Sequence, residues 1–374
     1  MGEVIKQLSP FSLPEAPTNF FGRDVIIKDL LGFAERSESI TLLGAGGVGK
    51  TAITLTLLHH LRTLARFGRH RHFMRCHDLE SSLDGFLSRL FEAIGAPHLE
   101  DTAQLQSHLS FSPPRILVLD GVESILDPLA PGAAEITSAI EELGRCENLC
   151  LLVTSKMDAR ITDSRRIEVP TLSSTGAQDV FYSRCRLRRS VEVDDIIEEL
   201  DCHPLSLDLL ASTAQENHWD EGMLLEAWDG QKTNILKAYG RQSLEDNIMS
   251  ALATPTIQAR RMIVFETLRA LAALPGGVEE SKLENTFAEI SGIGNTIDAL
   301  CEFSLVYRRD GFFKMLSPFR LYFLASGRAL VSDSGSDAAH DTVSENIQYT
   351  PQDIFGFGLL FSFCQLCFSR MTNA

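Results

Sequence analysis

Short unbroken apolar runs alternate along the first half of this chain with longer stretches whose apolar residues recur every three or four positions. Short runs read as buried strands, and the longer period reads as amphipathic helices. The runs are Ile40–Leu43, residues 71–76, 116–119 and 150–154, and a brief one at 167–169. Helical spacing fills the intervals at 52–67 (Leu57, Leu61 and Leu64 on one face), 83–94, 103–109 and 133–143, with Asp101 or Thr102 as a cap. An earlier helix over 20–33 would bury Val25, Ile26, Leu30 and Leu31. Strands alternating with helices predict an α/β fold, a parallel sheet with helices on both faces.

The pattern changes after Thr171. Helical spacing dominates 174–286, including 194–201, 205–215 and 260–274. Residues 304–309 and 311–316 then predict a hairpin around Arg309-Asp310-Gly311. Helices closed by a two-stranded wing predict a winged-helix-like unit at 254–324. The expected organisation is a linker at 1–19, an α/β domain at 20–171, a helical domain at 172–253, the winged-helix-like domain, and a linker with an apolar segment at 325–374. Residues 332–353 are polar, as in a disordered linker. The uncharged stretch 354–368 is short for a bilayer span, and a docking helix, or the start of a truncated element, is the expectation.

Composition narrows the partners. The chain has 374 residues, 44% of them hydrophobic, enough for two or three globular domains. A formal net charge of −16 disfavours broad affinity for nucleic acid. Eight cysteines lie scattered without a disulfide framework, and the first ten residues lack the apolar core of a signal peptide. A cytoplasmic protein that does not associate with membranes is expected. Arg62, Arg66, Arg69, Arg71 and Arg75 cluster around His70 and His72, and such arginines complement a helix C-terminus without any ligand. Cys364 and Cys367 have CxxC spacing but no partner pair, so buried thiols are expected rather than zinc ligands. His59 and His60 lack acidic companions at ligand spacing, and a solvated or packing pair is expected there.

The chemistry concentrates at 39–51, "SITLLGAGGVGKT". Gly44, Gly49, Lys50 and Thr51 satisfy the phosphate-loop pattern; Ala45, Gly46, Gly47 and Val48 fill it, and Ala52 follows in the helix. Glycines let backbone N–H groups of 46–51 curl around phosphates while the helix directs its N-terminus at the anion. Lys50 would reach the β- and γ-phosphates, and the Thr51 hydroxyl would bind Mg²⁺. Asp120 ends "RILVLD" and is the expected second Mg²⁺ ligand, on a strand beside the first. Lys50 and Asp120 are the expected catalytic pair. Gly121 follows Asp120, so no adjacent carboxylate is available as a base, and Glu123 is expected to be a solvated loop acid.

Further motifs follow in order. They are "FFGRD" at 20–24, "LLVTSK" at 151–156, "CHPLS" at 202–206, "LAALPGGV" at 271–278 and "SLVYRRDGFFKMLSPFR" at 304–320. Together with the phosphate loop, this order resembles the STAND class of P-loop ATPases, and within it the NB-ARC-type modules of NLR-like and apoptosome-like proteins. The resemblance implies that Arg23 lines a purine pocket, Lys156 senses phosphate where the family usually has Arg, and Pro204 packs near adenine. It also implies an ADP/ATP switch with Mg²⁺, slow hydrolysis, self-association in the ATP state and a protein partner of unspecified kind. The family's Met-His-Asp element is Met315-Leu316-Ser317 here, and Leu316 has no donor for a phosphate. The expectation is a core without the family's usual repeats. A turnover ATPase of AAA+ type and a non-hydrolysing nucleotide-binding scaffold are the alternative readings.

Overall fold

Five strands form one parallel sheet: β1 (Ile40–Leu43), β2 (Arg71–Arg75), β3 (Arg115–Asp120), β4 (Leu149–Ser155) and β5 (Arg165–Glu168), in the order β2-β3-β4-β1-β5. The computed structural model describes residues 13–110, 112–231, 244–288 and 290–332. The helices of this half are α1 (Asp24–Glu35), α2 (Lys50–His59), α3 (Leu61–Phe67), α4 (Leu83–Ala93), α5 (Thr102–Ser110) and α6 (Ala133–Gly144). Because side chains alternate across a strand, Ile116, Val118, Cys150 and Leu152 join Ile40 and Leu42 under Leu30, Ile53 and Leu57. Their neighbours Leu117, Leu119, Leu149, Leu151 and Val153 face Phe86, Leu90, Ile136 and Ile140 on the other side. This is the predicted α/β architecture.

One expectation about it fails. β3 does not lie beside β1, because β4 pairs with both and separates them. Apolar runs mark which segments are buried strands but not their lateral order. The loop after β1 and the acid ending β3 are therefore two strand spacings apart, about 10 Å, and the first turn of α2 bridges the gap.

Two helices also depart from the expected phase. The pattern at 52–67 is broken at His60, whose backbone is extended (φ −66°, ψ 141°) and whose Nδ1 accepts the Arg62 N–H at 3.2 Å as the cap of α3. Leu57 is buried, whereas Leu61 and Leu64 are 78% and 44% exposed. The break resets the helical phase, so one stripe cannot run through both pieces. His59 Nε2 meets the Pro14 carbonyl at 2.8 Å. In α1 the buried face is Ile27, Leu30, Leu31 and Ala34, and Val25 is exposed.

The second half comprises α7 (Ser174–Arg184), α8 (Val191–Glu199), α9 (Pro204–Glu216), α10 (Glu221–Gln231), α11 (Leu244–Leu252), α12 (Pro255–Gln258), α13 (Arg261–Ala272), β6 (Val278–Glu279), α14 (Leu283–Thr286), α15 (Ile293–Glu302), β7 (Tyr307–Arg309), β8 (Phe312–Lys314) and α16 (Ser317–Ser332). The three strands form a small antiparallel sheet in the order β6-β8-β7. Asp310 and Gly311, both at positive φ, turn the β7–β8 hairpin. One apolar cluster runs through this half, including Phe181, Leu210, Ile248, Leu268, Ile297 and Phe319. The halves are joined where Asp127, fully buried, accepts the Thr256 N–H at 3.1 Å and hydroxyl at 2.7 Å. Among the described residues no helix is long and apolar enough to cross a membrane, and no group of three or more His, Cys, Asp or Glu is arranged to hold a metal. The expected linker at 332–353 (beyond its first residue), the apolar stretch 354–368 and the Cys364/Cys367 pair lie outside the described residues.

Candidate functional site

Residues 44–49 connect β1 to α2 as a tight, glycine-dependent loop. Gly49 adopts φ +97°, which side-chain-bearing residues rarely tolerate. Gly47 adopts φ +82°, and an added Cβ would lie 2.8 Å from His203 Cε1 and 2.9 Å from Leu205 Cβ. The sequence pattern assigns these glycines to a phosphate, but Gly47 is also required by a neighbouring helix.

Lys50 begins α2 and is buried. Its Nζ donates to the carbonyls of Gly44 at 2.6 Å and Ala45 at 3.0 Å, folding the side chain back over the loop. Burial lowers its pKa to about 8, with the Glu123 and Asp120 carboxylates opposing and Lys156 assisting. Beside it, the Thr51 hydroxyl lies 2.9 and 3.0 Å from the two Asp120 carboxylate oxygens, and the Thr154 hydroxyl donates to Asp120 Oδ1 at 2.8 Å. Burial pushes the Asp120 carboxyl upward, against hydrogen bonds from Thr154 and Thr51. A carboxylate touching a hydroxyl is an all-oxygen donor set of the kind hard Mg²⁺ prefers. The residues present fit that ion.

Glu123 departs from expectation. It is 5% exposed rather than solvated, in the short 3₁₀ turn Val122–Ser124. Gly121, at φ +76°, redirects the chain after β3 and brings the third residue back toward the strand ends. Glu123 Oε1 lies 3.2 Å from Lys156 Nζ, and its Oε2 accepts the Lys156 N–H at 3.4 Å. Lys156 Nζ also donates to the Ser250 hydroxyl on α11 at 3.1 Å. The expected sensor lysine is thus held between a carboxylate and the helical half.

Arg23 caps α1 and is 5% exposed. Its Nη2 donates to the Val48 carbonyl at 3.0 Å and the Pro170 carbonyl at 2.7 Å, and Nη1 to the Thr171 carbonyl at 3.4 Å. Burial lowers its pKa to about 10. It pegs the loop to the chain leaving β5. Pro204 is the first residue of α9, and His203 is its N-cap. His203 is fully buried; its Nε2 meets the Gly46 carbonyl at 2.9 Å, and the Leu205 N–H donates to the Gly47 carbonyl at 3.2 Å. Val48 is buried and Ala52 half-buried. Leu316 packs in the apolar cluster, and the Ser317 N–H donates to Asp201. His203 and Leu205 lie in the motif at 202–206, where only Pro204 was expected to act, although a histidine just before a proline-initiated helix was the available sign.

No protein-family model matches this chain, and no curated protein matches it. Solved structures do. A Walker-type ATPase of Pyrococcus abyssi is similar with a TM-score of 0.61 and 16% identity, over 85% of this chain and 100% of that one. A signal transduction ATPase with numerous domains (STAND), carrying a tetratricopeptide-repeat sensor, from Pyrococcus horikoshii gives 0.41 and 12%, over 95% of this chain and 50% of that one. The RuvB Holliday junction branch migration motor of Thermotoga maritima gives 0.39 and 13%, over 81% and 94%. The first likeness carries the fold. With a phosphate loop after β1 and an acid ending β3, the chain has the fold of a P-loop ATPase.

Proposed function

We propose that this protein is a nucleotide-operated switch of the STAND type, with ADP and ATP as alternative ligands and Mg²⁺ as the accompanying ion. Lys50 binds the β- and γ-phosphates, and the loop amides of 46–51 complete the cradle. Thr51 and Asp120 hold the Mg²⁺, which neutralises phosphate charge when bound. The observation that carries the reading is that the helical half touches the phosphate loop directly, through His203, Leu205 and Asn247. A ligand shifts a conformational equilibrium only through contacts that differ between the two states. A loop shared by both halves supplies such contacts.

In this reading residues 20–171 bind nucleotide, 172–253 form the helical domain, and 254–324 act as a winged-helix-like module. Arg23 and Pro204 flank the base. The γ-phosphate competes with Glu123 for Lys156, which frees Ser250 and lets the helical half swing and self-associate. Hydrolysis is slow because Gly121 follows Asp120, leaving no carboxylate directly beside it to act as a base.

Light scattering and turnover measurements test the proposal together. The expected result is a larger mass with a non-hydrolysable ATP analogue than with ADP, and turnover below about one per minute. An identical mass in both nucleotides contradicts the switch. The buried position of Glu123 favours a second reading, a turnover ATPase, which unchanged mass with rapid hydrolysis would select.

A further inference from the structure

Three consecutive carbonyls of the phosphate loop are held from outside it. Gly46 O faces His203 Nε2 at 2.9 Å, Gly47 O accepts the Leu205 N–H at 3.2 Å, and Val48 O accepts Arg23 Nη2 at 3.0 Å. A trans peptide carries its C=O and N–H on opposite sides of the plane. Drawing these carbonyls outward therefore turns the N–H groups of Gly47, Val48 and Gly49 the other way, toward the inside of the loop. Among the described residues, the one hydrogen bond these three N–H groups donate is long, from the Val48 N–H to the Ala45 carbonyl at 3.4 Å.

The histidine is the informative member of this set. Facing a carbonyl, its Nε2 must carry the proton, which leaves Nδ1 as an acceptor. Nδ1 lies 2.9 Å from the Ser206 hydroxyl and 3.4 Å from the Ser206 N–H, as the N-cap of α9 requires. The Phe319 ring of α16 packs edge-on against the imidazole, with centroids 6.0 Å apart. One side chain thus caps a helix through one nitrogen and grips the loop through the other.

We infer that His203 is a positioning residue for nucleotide binding, aligning the loop's amides from behind so that the helical half completes the phosphate site. The inference rests on the reading that this loop binds nucleotide. The two roles of the ring separate by substitution. In His203→Asn the amide sits at the level of Nδ1 and still caps α9, but it is too short to reach Gly46. In His203→Gln the amide N–H extends to the level of Nε2.

The experiment measures the dissociation constant of Mg·ADP, with a fluorescent ADP analogue, for wild type and both variants. Far-UV circular dichroism monitors the fold, and hydrogen exchange follows the amides of 47–49. The expected result is about tenfold weaker binding and faster exchange at 47–49 for His203→Asn, with His203→Gln within threefold of wild type. Equal binding by His203→Asn and wild type overturns the inference, as does an equal loss in both variants, which would reflect packing alone. Should His203→Asn not fold, His203→Gln decides: near-native affinity supports the inference and a tenfold loss overturns it. Failure of the wild-type protein to bind ADP removes the nucleotide reading itself, and this inference with it; an effect confined to the variants separates the two.

Discussion

Lys50 shows how a single residue prepares a site. Its ammonium is buried and hydrogen-bonded to the Gly44 and Ala45 carbonyls, and desolvation lowers its pKa to about 8. A bound diphosphate places negative oxygens beside that nitrogen and raises the value again. A larger share of the unliganded lysines is neutral at pH 8.5 than at pH 7. ADP binding is expected to take up more proton through this group at pH 8.5 than at pH 7. Calorimetry in buffers of different ionisation enthalpy reads the uptake directly, and equal uptake at both pH values would show that Lys50 is not the group meeting the phosphates. Lys50, Thr51 and Asp120 were legible as candidates from residue type and spacing, because loop and acid are each signalled by local sequence, and the structure brings Thr51 against Asp120. Glu123 was not. Its burial depends on Gly121 redirecting the chain and on Lys156 arriving from the next strand, contacts that no local pattern encodes.

Element-level signals were readable where an element has one phase and ambiguous where it breaks. β1, β3 and β4 fell on the predicted apolar runs, since a strand covered on both faces is apolar, whereas β5 (Arg165–Glu168) starts before the expected run at 167–169 and is mostly exposed. Their order was not readable, and β4 between β1 and β3 moved the Asp120 carboxylate one strand further from the loop than expected. The stretch 52–67 kept a helical spacing across the break at His60, so Leu57 and Leu61 looked equivalent. They are not, and stability measurements distinguish them. Leu57→Ala is expected to cost about 2–5 kcal/mol, as for other fully buried leucines. Leu61→Ala, at a 78% exposed position, is expected to change stability by less than about 0.5 kcal/mol. Urea denaturation of both variants checks this, and a comparable loss in each would mean that α2 and α3 form one continuous packed helix.

At the scale of the whole molecule, the second half reaches the site at several separate points. Asp127 holds Thr256, Lys156 reaches Ser250, Ser304 donates to the Lys156 carbonyl, and α9 grips the phosphate loop. Composition and periodicity announced a helical region followed by a hairpin, but docking geometry depends on side chains far apart in sequence. His203 and Gly46, for example, are 157 positions apart. Of these contacts, the one made by α9 falls on the loop, and the central claim of the proposed function is that this loop receives phosphate. Calorimetric titration of Mg·ADP into the wild-type protein and Lys50→Ala tests that claim most directly. The account predicts saturable one-to-one binding by wild type and none by a folded Lys50→Ala variant. Equal affinity in the two proteins, or no binding by wild type, would contradict it.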